Sequence, residues 1–347
     1  MPLLRRRREK GGGSGGLKER SGSPPVGRDP DATTLFFATD LHGSETCFRK
    51  FVAAARFYGA DLLVLGGDLT GKLVVPLVAQ SGGRWRAWVH GRERLLDEAG
   101  AAELERRARV AGSYTRRMDP DEHARLEADP DAVEALFAEL MTETLVRWLR
   151  YADEKLDGSG VRILTAPGND DPWLVDDVLR EHGGERVALA EGELIEVAPG
   201  HELLTTGWTN KTPWNTPREY PEEAIAERLE HLAGGLANPA GAIFNLHVPP
   251  HDSRLDTAPL LGQDLKVKTS MGGEVTAPVG STAVRDALER HQPLLSLHGH
   301  IHESGGAVRL GRTLAVNAGS EYGEGVLRGV LVTVGGGRIL RHQATTG

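Results

Sequence analysis

The chain has 347 residues, 39% hydrophobic and 26% charged, which is enough apolar content to bury a core. Its net charge of −8 and isoelectric point near 5.9 argue against unspecific nucleic-acid binding, which wants a basic footprint. The single cysteine, Cys47, excludes an internal disulfide and a cysteine-based zinc site, and no apolar run reaches the ~18 residues of a membrane helix.

Residues 1–31 are rich in Arg, Gly, Ser and Pro and nearly free of large apolar groups, so a disordered, solvated tail is expected there. Arg5–Arg8 are followed by Gly and Ser, not by the apolar stretch of a signal peptide, and a cytoplasmic location is the default expectation. One domain is expected over 32–347. Leu35–Ala38 predicts a buried strand that ends at Asp40. Phe48, Phe51, Val52 and Ala55 stand at helical spacing and predict a helix over Thr46–Tyr58. Leu62–Leu65 predicts the next strand, ending at Gly66-Gly67-Asp68. Acidic groups thus sit at the carboxyl ends of two strands joined by a helix, where open α/β sheets place their ligands.

Residues 72–128 break this rhythm and read as an insertion, a possible cap beside a site. Leu73–Ala79 and Trp85–Val89, split by Ser81-Gly82-Gly83, predict a hairpin, and an Arg/Glu-rich helix is expected over 94–112. From 72 to 157 there are 14 Lys/Arg against 17 Asp/Glu, so a solvated helix face explains these charges better than a binding patch. Asp129-Pro130 opens a longer helix, as N-cap and first-turn proline. Its expected stripe is Val133, Leu136, Phe137, Leu140, Leu145, Trp148, Leu149 and Ala152. Val161–Leu164 then predicts a strand running into Gly168-Asn169. Further strands are expected at Leu194–Val197, His201–Thr206, Ala242–Leu246, Leu294–Leu297, Thr313–Val316 and Val326–Val334, the last two as antiparallel edges closing the fold. Residues 249–282 predict a long loop, a possible lid, before a helix over Ala283–His291.

Five short blocks carry the chemistry. Asp40-Leu41-His42 puts a carboxylate and an imidazole two residues apart, on one side of a pleat. Gly66-Gly67-Asp68 lets the chain turn tightly and leaves a carboxylate free to bridge cations. Asn169 offers a neutral amide oxygen to a hard cation. His247 ends an apolar strand, and Gly299-His300-Ile301-His302 repeats the two-residue spacing with imidazoles. Each block taken alone has a plain structural explanation, but each follows an apolar strand. The set Asp40, His42, Asp68, Asn169, His247, His300 and His302 mixes imidazole, carboxylate and amide without thiolate, which suits Fe, Mn, Zn, Ni or Co.

In order and context these blocks resemble those of the calcineurin-like metallophosphoesterases, Asp-x-His, Gly-Asp, Gly-Asn-His-Asp/Glu, His and Gly-His-x-His, over roughly residues 35–325. Asp40-Leu41-His42-Gly43-Ser44, Gly168-Asn169-Asp170-Asp171, His247-Val248-Pro249-Pro250 and Asn317-Ala318-Gly319-Ser320 are similar to segments of the Icc-related predicted phosphoesterases. The resemblance implies an α/β fold, a four-layer α/β/β/α sandwich of two mixed sheets flanked by helices. It implies two divalent or transition metal ions, one held by Asp40, His42, Asp68 and His302, the other by Asp68, Asn169, His247 and His300. A water bridging them would attack phosphorus in line. Asp170 stands where the family carries a substrate-contacting histidine. An acidic group there penalises a dianionic monoester more than a diester, so the expected activity is a phosphodiesterase on a small or nucleotide-like ester. A phosphomonoesterase or pyrophosphatase is the alternative, and a non-catalytic scaffold a third reading. His251, His298, Ser281 and Thr282 are further candidates for substrate contact, with a helix N-cap the competing role for Ser281 or Thr282. The expected partner is a small-molecule phosphoester, not a membrane or a nucleic acid.

Overall fold

The structure, a computed structural model, describes residues 32–89, 91–262, 264–270 and 272–347; the expected tail at 1–31 lies outside the described residues. Within these, strands 33–38, 62–65 and 162–165 form the parallel centre of a six-stranded sheet, in the order 338–346, 328–335, 33–38, 62–65, 162–165, 187–189. A second six-stranded sheet runs 306–310, 313–317, 295–298, 243–246, 201–206, 194–198.

The central strands carry apolar residues at successive positions, as in Leu35–Ala38 and Leu62–Leu65, because both of their faces are covered. In the first sheet Leu35, Phe37, Leu62, Val64 and Leu164 point one way and join Leu203, Ile243, Leu295, Leu297 and Val316 of the second sheet in a single buried cluster. Their alternates Phe36, Leu63 and Ile163 point the other way, against Phe48, Phe51, Trp148 and Val175 of helices Glu45–Tyr58, Pro130–Lys155 and Leu174–His182. In the second sheet Leu204, Phe244 and Leu246 face Ile225, Leu229, Val284 and Leu288 of helices Glu222–Ala233 and Thr282–His291. The α/β class expected from the sequence is what the chain adopts.

The first helix starts where Ser44 accepts a hydrogen bond from Cys47 N and stops at Gly59, left-handed at φ 64°. Asp129 and Pro130 open the long helix as expected, although Val133, counted in its stripe, is exposed.

Three segments differ from expectation. The region 72–128 holds the expected hairpin, 74–80 against 84–89, and the expected helix, shortened to Glu98–Val110, but adds to both. Strands 92–96, 84–89, 74–80 and 114–118 make a four-stranded sheet with helix Glu98–Val110 and a short helix Pro120–Ala128. Arg92–Leu96 pairs with 84–89, and the helix waits for its Asp97 cap; a charged edge strand carries no apolar alternation to announce it. The loop 249–282 contains paired strands, Thr257–Pro259 with Thr276–Pro278 and Thr269–Ser270 with Gly273–Glu274, and so forms an arm. Thr313–Asn317 and Arg328–Gly335 are not edges. The first pairs parallel with 295–298 inside and antiparallel with 306–310 outside, and 338–346 covers the second. Those covering strands, Gly-Ala-Val-Arg-Leu and Arg-Ile-Leu-Arg-His-Gln-Ala-Thr-Thr, lack a buried apolar run. No helix among the described residues is long and apolar enough to cross a membrane.

Candidate metal centre

Within each sheet, backbone hydrogen bonds hold neighbouring strand ends together. Asp40 N–H donates to Gly67 O at 2.9 Å, His42 N–H to Asp68 O at 2.9 Å, and Gly299 N–H to His247 O at 2.9 Å. His247 reaches from the second sheet to the first, its Nδ1 2.9 Å from Gly66 O.

On this frame Asp40, His42, Asp68 and His302 bring one donor atom each within 4.8 Å of one another. His42 Nε2 lies 3.5 Å from Asp68 Oδ2 and 3.1 Å from His302 Nε2, and His302 Nε2 lies 3.3 Å from Asp40 Oδ1. Beside this group His247 Nε2 is 3.4 Å from Asp68 Oδ1, and its ring meets that of His300 at 5.5 Å between centroids. Asn169 lies in the same place, in the loop whose Asp170 N–H donates to Asp68 Oδ1 at 3.0 Å. The structure therefore gathers all seven sequence candidates around Asp68.

The orientation of the donors fits a cation. A carbonyl only accepts, so the contact with Gly66 O makes His247 Nδ1 a protonated nitrogen and leaves Nε2 as the atom turned toward Asp68, where a cation would take the place of the proton that Asp68 otherwise holds there. Asn169 Nδ2 donates to Thr216 Oγ1 at 2.8 Å and to Asp170 Oδ1 at 3.2 Å, which leaves Oδ1 as the unengaged end of the amide. Asn169 Oδ1 and His247 Nε2 are both buried and have no hydrogen-bond partner. Buried polar atoms are normally satisfied, so the set asks for a positively charged guest with hard-donor preference.

Close approach explains two glycines. A Cβ on Gly168 would collide with Asp68 Oδ1 and His247 Nε2, and one on Gly299 with Thr39 and the Asp40 carboxylate. Four of the donors pay in backbone strain: Asp40, His42, Asp68 and His300 all hold left-handed conformations, at φ 54°, 42°, 52° and 65°.

Burial and crowding set the protonation pattern. Burial alone would raise Asp40, but the hydrogen bond to His302 and the charges of three imidazoles hold it below the usual carboxylate range. Burial lifts Asp68 to about 7 against the pull of His247, with Asp170 and Asp40 adding to the rise. Burial works against a charged His247, and Asp68 outweighs it, pushing the imidazole up to about 10. His300 is pushed down to about 3 by burial and by the charge on His247.

The centre forms the floor of a cleft of about 570 Å³, into which Asp68, Asn169, Asp170, His300 and His302 open. Lys72, Lys211 and Trp214 also line it, and no sequence signal pointed to them. Lys72 forms an ion pair with Asp170. Burial opposes its charge, and Asp68 and Asp170 hold its pKa above the ordinary lysine value.

The four substrate-contact candidates are not brought to this cleft. Ser281 caps helix Thr282–His291 through Val284 N at 3.2 Å and donates to Glu222 Oε2 at 2.6 Å, so its hydroxyl is fully engaged. Thr282 is exposed in the first turn, with its N–H on Glu222. His298 is buried beneath the centre, Nδ1 on the carbonyls of Leu246 and Val248 and Nε2 on Ser296. His251 sits over the turn closed by Asp256, 3.8 Å from its carboxylate. Of the insertion 72–128, Lys72 lines the cleft; its other described residues do not. That region instead buttresses the loops beside the site, Tyr114 Oη accepting from Gly71 N–H and Val110 O from Ser44 Oγ.

No protein-family model matches the chain. The uncharacterized protein MJ1162 of Methanocaldococcus jannaschii is 30% identical over 160 residues, 45% of this chain and 63% of its own, so the chain spans less than two thirds of that relative. One crystal structure superposes with a TM-score of 0.53 at 16% identity, over 91% of this chain and 98% of its own. A novel archaeal phosphodiesterase aligns over 91% of this chain and 100% of its own, at 8% identity and a TM-score of 0.36. The match at 0.53 supports the α/β fold and speaks to nothing further.

Proposed function

We propose that the chain is a metal-dependent phosphoesterase, and within that class a phosphodiesterase acting on a small or nucleotide-like ester. The observation that carries the reading is the buried, unpartnered pair Asn169 Oδ1 and His247 Nε2 beside the Asp40, His42, Asp68 and His302 cluster. We assign Asp40, His42, Asp68 and His302 to one ion and Asp68, Asn169, His247 and His300 to a second, with Asp68 shared. The same reading takes the stacking of helices, two sheets and helices as a four-layer sandwich. Two divalent ions held there supply Lewis acidity toward phosphoryl oxygens and lower the pKa of a water to near neutrality.

The chain's own groups then divide the remaining work. Asp170 N–H and the Gly66 carbonyl fix Asp68 and His247 in place. Thr216 fixes the Asn169 amide. Asp170 and Lys72 stand at the opening as a neutralised pair. With its aspartate in place Lys72 brings no net charge to the cleft, which suits a monoanionic diester better than a dianionic monoester. A Lys72 released from Asp170 would favour the second reading, a phosphomonoesterase or pyrophosphatase.

The test is metal analysis of the purified full chain, followed by hydrolysis of bis(4-nitrophenyl) phosphate with and without added Mn. Bound metal and Mn-dependent turnover are expected. Protein that binds no metal and turns over no ester under any metal would instead be a scaffold of the same fold.

A further inference from the structure

Above the metal centre, one side of the cleft is a continuous apolar wall. Trp214 comes from the loop 207–221, and Ala258, Pro259, Leu260, Leu261 and Val279 come from the arm. Much of the wall's backbone is already engaged within the chain. Leu260 N–H donates to Val275 O at 2.7 Å, and Leu260 O accepts from Lys268 N–H at 2.8 Å. Thr257–Pro259 is paired with Thr276–Pro278. Thr212, next along the rim, has its N–H and its hydroxyl on Glu219. Apart from the Trp214 indole, the side chains of the wall present carbon, and a nucleobase laid against them would lose hydrogen bonds to water that they cannot replace.

The lip of the cleft continues this character. Trp214 is 63% exposed, and on the arm Leu265 is 52% and Val267 41% exposed; Val267 bridges to Leu261 of the wall. Large exposed apolar groups gathered around a polar centre mark a ligand-binding surface.

We propose that this wall is a subsite for an apolar alkyl substituent, which narrows the small or nucleotide-like ester proposed above to an amphiphilic alkyl phosphodiester. The identity of the head as a phosphoester rests on the function proposed above; the apolar subsite does not.

Binding and turnover separate the two. The Mn-loaded full chain is titrated calorimetrically with methylphosphonate, octylphosphonate and adenosine 5′-monophosphate, and methyl and octyl 4-nitrophenyl phosphodiesters are compared as substrates. Octylphosphonate should bind tighter than methylphosphonate by about two- to fourfold for each methylene buried, and KM for the octyl ester should fall in step. Leu260→Asn and Trp214→Ala should each lose at least about fivefold on the octyl probe and leave the methyl probe unchanged. Trp88→Ala, an exposed tryptophan of the four-stranded sheet, should change neither. Equal affinity for methyl and octyl probes, or tightest binding of adenosine monophosphate, overturns the subsite whether or not the variants fold. Octyl preference in binding with no ester hydrolysed leaves the subsite standing and overturns the phosphoesterase reading.

Discussion

Thr70 and Asp171 are joined twice: the backbone N–H and the hydroxyl of Thr70 both donate to Asp171 Oδ1, at 2.9 and 2.7 Å. The same fully buried carboxylate accepts from Leu69 N–H and from Gly168 N–H at 2.9 Å. It therefore ties the loop of Asp68 to the loop of Asn169. Removing it strands three buried N–H donors. Asp171→Ala should cost about 3 kcal/mol of stability, read as a fall in Tm, and weaken Mn binding at least tenfold by calorimetry. Unchanged Mn affinity would show that the two loops hold their geometry without this link.

Asp170 and Lys72 predict ester preference. Asp170→Asn removes the carboxylate and leaves the ammonium free toward a dianion. Turnover of 4-nitrophenyl phosphate relative to bis(4-nitrophenyl) phosphate should rise about tenfold, and Asp170→His should move the ratio in the same direction. A ratio that stays constant in both variants removes this pair from the explanation of specificity.

Asn169 is oriented at one remove. Its Nδ2 donates to Thr216, whose hydroxyl donates to Glu219 at 2.7 Å. Thr216→Val keeps the volume and deletes the link. Partners that orient a ligand are worth about 10–100-fold in metal affinity, so the weaker of two Mn binding steps should lose about that factor while the other holds. A loss shared equally by both steps would point to a general loosening of the fold.

Ser281 predicts a purely structural effect. Ser281→Ala removes an N-cap and a hydrogen bond to Glu222, worth about 1 kcal/mol, with kcat and KM unchanged. A rise in KM at unchanged Tm would return Ser281 to the list of substrate contacts.

His298 makes a pH prediction. Burial pushes its pKa down to about 4, and its ring nitrogens are committed to two carbonyls and Ser296. The folded protein therefore binds this proton less readily than the unfolded chain, whose histidine titrates near 6.5. The contribution is complete above about pH 6.5 and is lost as pH falls toward 4, on the order of 3 kcal/mol in all. His298→Gln should flatten Tm between pH 6.5 and 4 relative to the parent protein. Parallel Tm profiles would assign that acid sensitivity to other groups.

The metal donors were legible because each follows an apolar strand, and the pairing of those strands brings their ends together. Leu62–Leu65 and Ile243–Leu246 are such strands. What the sequence hid lies where no apolar pattern exists. Lys72 is a lone lysine after a glycine. Thr216, Glu219 and Trp214 belong to an irregular loop held by side-chain hydrogen bonds. Strand Arg92–Leu96 is charged along most of its length, and its partners alone make it a strand. His298 looked like a site residue because it adjoins Gly299-His300; the pleat instead sends it inward, below the floor of the cleft.

The left-handed backbone at Asp40, His42, Asp68 and His300 sets the centre at odds with the rest of the molecule. Conformations of this kind cost about 1–3 kcal/mol each, and glycine or asparagine would occupy them with less strain. His300 is the clearest case, because its backbone N–H, not its ring, reaches Asp40. Its replacement by Gly or Asn would discard a candidate ligand and relax the chain in one step. In a lineage no longer selected for turnover, drift should reach these four positions early, and they would register loss of activity before the core does.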